Sequence, residues 1–393
     1  MSIALGSTIG IGNIIGVAAA IIIGGPGAVF WMLMTGFAGM IIKFVEVYIC
    51  VQEAKTANRP SGGPMYVFKN KCNGILKYFG SVFAAVTVHA SFFAGNLMQS
   101  KAIYRFAELG FNIDFVPITL FLLPLLFIIL IGKDRVYQNF SAVFVPLMSL
   151  FYIVAVLIII ACNYQHTPKA ILSIFTSAFG FRQAAGGFSG AVLSSALRTG
   201  VMKGLFTHEA GMGSSPIAHA STKDADPFCQ GCWGIIEVFI DTVVVCMLTA
   251  VAVLSSPVYF NSQTEDPFAL ISQIFESVFG SFGIKALSLS SCCFAFASIV
   301  GWSFYGIKAL EFFTKKSFSK KIYTVIFLSV VPLSIVFSED LVWILTDLFN
   351  SMMLIPNCCL LLCFGGDVVA PLAKIKKVLE IKSIKSYNIP QRR

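Results

Sequence analysis

Charge is what this chain has least of. Of its 393 residues only 12% are Asp, Glu, Lys or Arg, against about 25% in an ordinary soluble domain. Histidine occurs four times. So few polar groups could not cover a chain that is 57% hydrophobic with a mean hydropathy of +0.83. Folded in water it would leave large apolar patches exposed. A soluble cytosolic enzyme, a disordered chain and a nucleic-acid-binding module are excluded on that ground. Catalytic and metal signatures are also missing. Cys229-Gln-Gly-Cys232 is a lone CxxC with no second pair and no zinc-spaced histidines. His208-Glu209-Ala210-Gly211-Met212 lacks the second histidine of HExxH and falls where a turn to an inner-side helix is expected. No Ser/Lys pair or aspartate-rich phosphate motif points to a membrane enzyme. The other cysteines, such as Cys50, Cys162, Cys246, Cys292 and Cys293, sit in apolar runs, where cysteine acts as a small hydrophobe.

What the chain has is long apolar runs. About 20 apolar residues cross the ~30 Å of membrane hydrocarbon. Ten spans are expected, near 3–23, 27–50, 79–100, 115–132, 139–162, 184–206, 231–254, 284–310, 322–337 and 341–363. Residues 168–180 and 267–279 are too short to cross, start at proline and read as amphipathic surface helices. No cleavable signal peptide is expected ahead of the first span, because no basic n-region or small-residue cleavage site fits. With the N-terminus inside, 22 of the 28 basic residues fall on the inner side and five, Lys101, Arg105, Lys169, Arg182 and Lys285, on the outer side. That split follows the positive-inside rule. It places both termini in the cytoplasm and the chain in the inner membrane, so the +9 net charge needs no nucleic acid. The expected organisation is one transmembrane domain, 1–363, built from repeats at 3–162 and 184–363, with a basic cytoplasmic tail at 364–393.

Two spans are poor helices. The first carries Gly6-Ser7-Thr8-Ile9-Gly10-Ile11-Gly12-Asn13, then Gly16; the sixth carries Gly186-Gly187-Phe188-Ser189-Gly190, Ser194-Ser195 and Arg198-Thr199-Gly200. Small residues allow close helix packing; alternatively the stretch unwinds at mid-membrane, and freed backbone groups bind a cation and a carboxylate. Irregular helices opening each half of a ten-span chain are what an inverted five-plus-five repeat requires. Other polar residues lie at depth. Lys43 and Glu46, three apart, are expected to pair. Glu237 and Asp241 would repel, placing one nearer the interface; Asp241 is either a coupling carboxylate or a helix-locking acceptor. His89 reads as a satisfied interior histidine. Asn96 and Gln99, also three apart, can face one cavity, with Gln99 able to hold a zwitterion. In Ala295-Phe296-Ala297-Ser298 the hydroxyl either completes an oxygen shell for sodium or bonds its own helix.

These residues resemble a family. Gly10-Ile11-Gly12-Asn13, Gly24-Gly25-Pro26-Gly27-Ala28-Val29-Phe30-Trp31-Met32, Gly62-Gly63-Pro64-Met65-Tyr66, Gly186-Gly187-Phe188, Glu209-Ala210-Gly211 with Gly213-Ser214, and Phe239-Ile240-Asp241-Thr242 are similar to the alanine or glycine:cation symporters. The resemblance implies an all-α, LeuT-like fold and monomeric, sodium-driven import of alanine or glycine, with sodium as coupling ion and no cofactor. It implies substrate contacts from Thr8, Gly10, Gly12, Asn13, Gln99, Gly187, Ser194 and Asp241, with Gly10 and Gly12 offering amides. It implies sodium contacts from Gly6, Ile9, Asn13, Ala295 and Ser298, with Gly6 and Ile9 offering carbonyls. Lys101 stands where a neutral polar residue is expected, His208 where Asn is usual and Ala297 where Ser is usual. The family's chains carry a further segment ahead of this point. A half-helix from Met1 to about Ser7 spans ~10 Å, whereas ~15 Å separates the midplane from the surface. A truncated, leaky product is therefore the competing expectation to a working symporter.

Overall fold

The structure, a computed structural model, describes residues 2–371 apart from 60, 133, 180–188, 223 and 263, together with 373. No strand occurs among the described residues. The first apolar run is split by its glycines into α1 (Ser2–Thr8) and α2 (Ile15–Gly24), with a 3-10 turn, Ile11–Asn13, in the gap. α3 (Gly27–Thr56) follows Pro26, whose ring fixes a helical φ. Next come α4 (Pro64–Lys71) and α5 (Leu76–Phe111), which contains a π-helical turn at Phe93–Leu97. α6 (Phe115–Ile131), α7 (Asp134–Cys162), α8 (Thr167–Ala178) and α9 (Ser189–His208) complete the first half and enter the second.

A short α10 (Ser215–His219) leads to α11 (Pro227–Ser255), with its own π-helical turn at Phe239–Cys246. Then follow α12 (Pro257–Asn261), α13 (Pro267–Phe279), α14 (Ser281–Phe313), α15 (Ser317–Leu333) and α16 (Glu339–Phe364), which ends in a 3-10 turn, Gly365–Val368. Proline opens α4, α8, α10, α11, α12 and α13 within the first turn, where its missing N–H costs nothing. A helical element stands at each of the ten expected spans. Among the described residues, six stretches, in α3, α5, α7, α11, α14 and α16, are long and apolar enough to cross a membrane. The sixth span is described only from Ser189 onward, and the tail beyond residue 373 lies outside the described residues, as do Gly186, Gly187 and Phe188.

The bundle is apolar outside as well as inside. Leu120, Phe121, Leu147, Val325 and Leu362 are largely exposed, as suits a lipid-facing surface. Inside, Ile9, Ile11, Ile14 and Ile15 of the interrupted helix are fully buried in the main core beside Tyr152, Phe294 and Tyr305. Glycines set how closely the helices approach. A Cβ on Gly200 of α9 would lie 2.3 Å from the Ala28 carbonyl of α3, and one on Gly204 would lie 2.2 Å from Thr35 Oγ1. A Cβ on Gly27 would lie 2.6 Å from Ser177 of α8, where Trp31 Nε1 donates to the Ala178 carbonyl at 3.3 Å. The Gly24–Met32 string is therefore a packing surface. Residues 168–180 and 267–279, expected as short amphipathic helices at the surface, form α8 and α13 and turn one face to the bundle. α8 packs on α3 and buries Ala170, Ile174 and Ala178, and α13 packs on α14 and α2 and buries Phe268, Leu270, Ile271 and Phe275.

Candidate functional site

The site is built around the gap between α1 and α2. At Gly10 the backbone swings to an extended conformation, φ −140° and ψ −155°. A Cβ there would lie 2.5 Å from Ser298 Oγ, and one on Gly12 would lie 2.8 Å from the Phe206 ring. A side chain at either position would have to push Ser298 or Phe206 aside. Ser298 Oγ of α14 lies 3.4 Å from the Gly6 carbonyl and 3.5 Å from the Ile9 carbonyl. One hydroxyl proton cannot satisfy both. Three buried oxygens thus converge where the helix opens, the donor set that unwound membrane helices present to sodium. Ala295 is fully buried one turn before Ser298.

Beside these oxygens is a cavity of about 10 Å³, roughly the room one water centre needs. Thr8, Gly10, Gly12 and Gln99, all expected from the sequence, line it. So do Ser7, Phe206, Glu209, Trp302 and Asn350, which the sequence reading missed. Gln99 Oε1 is 3.5 Å from the Ile11 amide. Ser7 Oγ meets Tyr305 Oη at 2.5 Å. Glu209, expected in an inner-side turn, is buried at the cavity wall with φ 53° and accepts from Ser214 Oγ at 2.6 Å. The signal was present in Gly211 and Gly213, both at positive φ, which fold the chain back into the bundle after α9.

Asn13 and Asp241 do not line this cavity. Asn13 Oδ1 accepts from the Gly10 N–H at 3.1 Å, and its Nδ2 donates to Asp241 Oδ1 at 2.6 Å and to the Asp241 carbonyl at 3.2 Å. Thr242 Oγ1 donates to Asp241 Oδ2 at 2.9 Å. The Gly10 amide expected to face substrate is therefore turned to Asn13, and the amide beside Gln99 is that of Ile11. Gly187 lies outside the described residues, and Ser194 is described only as part of the α9 backbone.

Three expected partnerships are corrected. Lys43 pairs with Glu237 of α11 at 3.2 Å, not with Glu46, and donates to the His208 carbonyl at 3.0 Å. Glu46 instead accepts from the Gly211 amide at 3.1 Å and Asn357 Nδ2 at 2.7 Å. Glu237 and Asp241 are both fully buried. They avoid repulsion because Lys43, Thr8 Oγ1 at 2.7 Å and Ser215 Oγ at 3.0 Å surround Glu237, while Asn13 holds Asp241. Asn96 and Gln99 do not share a cavity. Asn96 Nδ2 donates to the Phe327 carbonyl of α15 at 2.5 Å, and its Oδ1 accepts from Ser100 Oγ at 2.8 Å. His89 is exposed rather than interior and stacks on Phe349 with ring centroids 5.9 Å apart.

Two of the three departures from the family pattern have hydrogen-bond partners here, and the third is packed in the core. Lys101 Nζ donates to the Phe337 carbonyl at 2.7 Å. His208 Nδ1 accepts from the Ala210 N–H at 3.0 Å, and Ala297 is buried beside Ser298.

A family model described as the sodium:alanine symporter family matches residues 1–387. The chain belongs to the sodium:alanine symporter family. Among similar proteins is the sodium/alanine symporter AgcS of Methanococcus maripaludis, 34% identical over 373 residues, covering 93% of this chain and 81% of that protein. The probable sodium/glutamine symporter GlnT of Bacillus subtilis is 32% identical over 356 residues, covering 90% and 73%. In fold the chain is similar to the crystal structure of MhsT in complex with L-phenylalanine, with a TM-score of 0.61, 16% identity and coverage of 90% and 86%. It is also similar to the Eremococcus coleocola manganese transporter, with a TM-score of 0.60, 13% identity and coverage of 91% and 74%. The LeuT-like fold expected of this family member is borne out. It is a multi-pass membrane transporter and not an enzyme, from a family of sodium-coupled amino-acid symporters.

Proposed function

We propose that this symporter imports alanine or glycine with sodium across the cytoplasmic membrane by alternating access, as a monomer with both termini cytoplasmic. The convergence of Ser298 Oγ with the Gly6 and Ile9 carbonyls beside the cavity carries this reading. Sodium takes those oxygens, with the Ala295 carbonyl nearby on α14. The substrate carboxylate meets the Ile11 and Gly12 amides at the start of the 3-10 turn, where N–H groups point outward from a helix end. Thr8 and Gln99 orient the zwitterion, which brings no net charge into the bundle. Asn13, tied to Gly10 and Asp241, holds the break in shape. No cofactor has a role in this scheme.

The size of the site supports a small side chain. The Phe206 and Trp302 rings wall the cavity, which must widen for any amino acid, and a small side chain asks less movement of them than glutamine does. The 22-to-5 distribution of basic residues supports the orientation. Binding of radiolabelled alanine to the detergent-purified chain tests the reading. We expect binding in sodium chloride but not in choline chloride, with competition from glycine and little from glutamine. Alanine binding that ignores sodium, or equal displacement by glutamine, would overturn it.

A further inference from the structure

The seam between α6 and α15 carries two adjoining cavities. One, of about 560 Å³, is lined by Phe127, Leu130, Lys320, Lys321, Thr324 and Val325 among others. The next, of about 430 Å³, lies further along the same two helices between Leu123, Pro124 and Phe127 on one side and Leu328, Ser329 and Pro332 on the other. Phe127 borders both. On α15 the lining residues recur every three or four positions from Ser317 to Pro332, so they form one face. At 1.5 Å per residue that face runs ~22 Å, close to the half-thickness of a bilayer with its headgroup zone.

The two ends of this groove differ in chemistry. The far end is apolar apart from Ser329, whose hydroxyl bonds the Ile326 carbonyl of its own helix at 2.7 Å. Thr324 likewise bonds the Lys320 carbonyl at 3.0 Å. What remains for a ligand at the near end is ammonium and the Ser317 hydroxyl. Residues 308–321 hold five lysines against one glutamate, Glu311. Glu311 is already engaged by Lys308 and Lys320. Lys321 is exposed and makes no ion pair among the described residues. Phe127 and Val325 are about half or more exposed at the groove, so it opens sideways, towards lipid and away from the transport site.

We propose that this groove binds an anionic glycerophospholipid from the inner leaflet. Its phosphate sits at Lys320 and Lys321, and an acyl chain lies along Phe127, Leu328 and Pro332. Charge complementarity at one end and leaflet-length apolar contact at the other select it over a zwitterionic lipid. Basic clusters at the inner end of a span attract anionic headgroups.

Native mass spectrometry of the full chain in detergent tests this. The probes are phosphatidylglycerol, phosphatidylcholine with the same acyl chains, and glycerol 3-phosphate. The wild type should hold phosphatidylglycerol in preference to phosphatidylcholine. Lys320→Gln with Lys321→Gln should lower that preference by about fivefold per lysine and weaken phosphatidylcholine, whose choline offsets its phosphate charge, much less. Lys321→Gln alone, which spares the Lys320–Glu311 pair, should lower the preference about fivefold. Leu328→Trp should weaken both lipids. An undiminished preference in Lys321→Gln, or displacement of phosphatidylglycerol by an equal concentration of glycerol 3-phosphate, would overturn the proposal.

Discussion

Asn13 and Asp241 meet at 2.6 Å with neither side chain exposed to solvent. One lies in the gap of the first helix and the other in the π-helical turn of α11. The bond joins two irregular segments from opposite halves of the chain. Each is a place where backbone groups leave the regular ladder, so each tolerates rearrangement better than a straight helix would.

Asn13→Ala should reduce alanine uptake by at least tenfold while the protein still inserts. It leaves the Gly10 N–H and Asp241 Oδ1 without their partner, at about 1–3 kcal/mol for each buried group left unsatisfied. Uptake normalised to inserted protein measures it; a value within about twofold of the parent would remove Asn13 from the account.

Ser298→Ala should raise the sodium concentration for half-maximal uptake about fivefold or more, with a smaller effect on alanine affinity at saturating sodium. The hydroxyl is one of the three converging oxygens, and ion and substrate binding are linked through a coupling free energy. Sodium titrations at fixed alanine decide it. An unshifted curve would move the ion away from Gly6, Ile9 and Ser298.

Lys43→Met should destabilise the protein strongly, by about 3–5 kcal/mol, because it strands Glu237 as a buried charge. Glu237→Gln added to it should recover much of that loss. The two residues touch at 3.2 Å, so their effects should be non-additive. Thermal unfolding of the four proteins in one detergent gives the cycle. Simple additivity would mean that the pair is not formed.

Gly12→Ala should block uptake through the Phe206 ring 2.8 Å from the new Cβ. Phe206→Leu in the same chain should restore part of it, because the smaller side chain can withdraw. Failure of the second change to help would place the constraint in the backbone or at Thr207, whose Cγ2 is 3.2 Å away.

The spans and the first break were legible because hydropathy and helix propensity act locally. Gly10, Gly12 and Asn13 are poor helix residues wherever they occur, and the helix opens there. Partner choice was not legible. Three-residue spacing put Lys43 beside Glu46, but Glu237, brought in by α11, is what Lys43 meets. A sequence read one helix at a time cannot contain that contact. The same spacing failed for Asn96 and Gln99 because the π-helical turn at Phe93–Leu97 shifts the phase of α5 between helix faces. Glu209 was missed because a charge following a long span reads as solvent-exposed; the positive-φ glycines after it, which return the chain to the core, were the overlooked sign.

Alanine accumulation in proteoliposomes, with an inward sodium gradient and with sodium equal on both sides, tests the central claim most directly. The account predicts that radiolabelled alanine concentrates inside above its external level only when the gradient is present, that the gain collapses when the gradient is dissipated, and that glycine competes. Equal alanine levels with and without the gradient would contradict it.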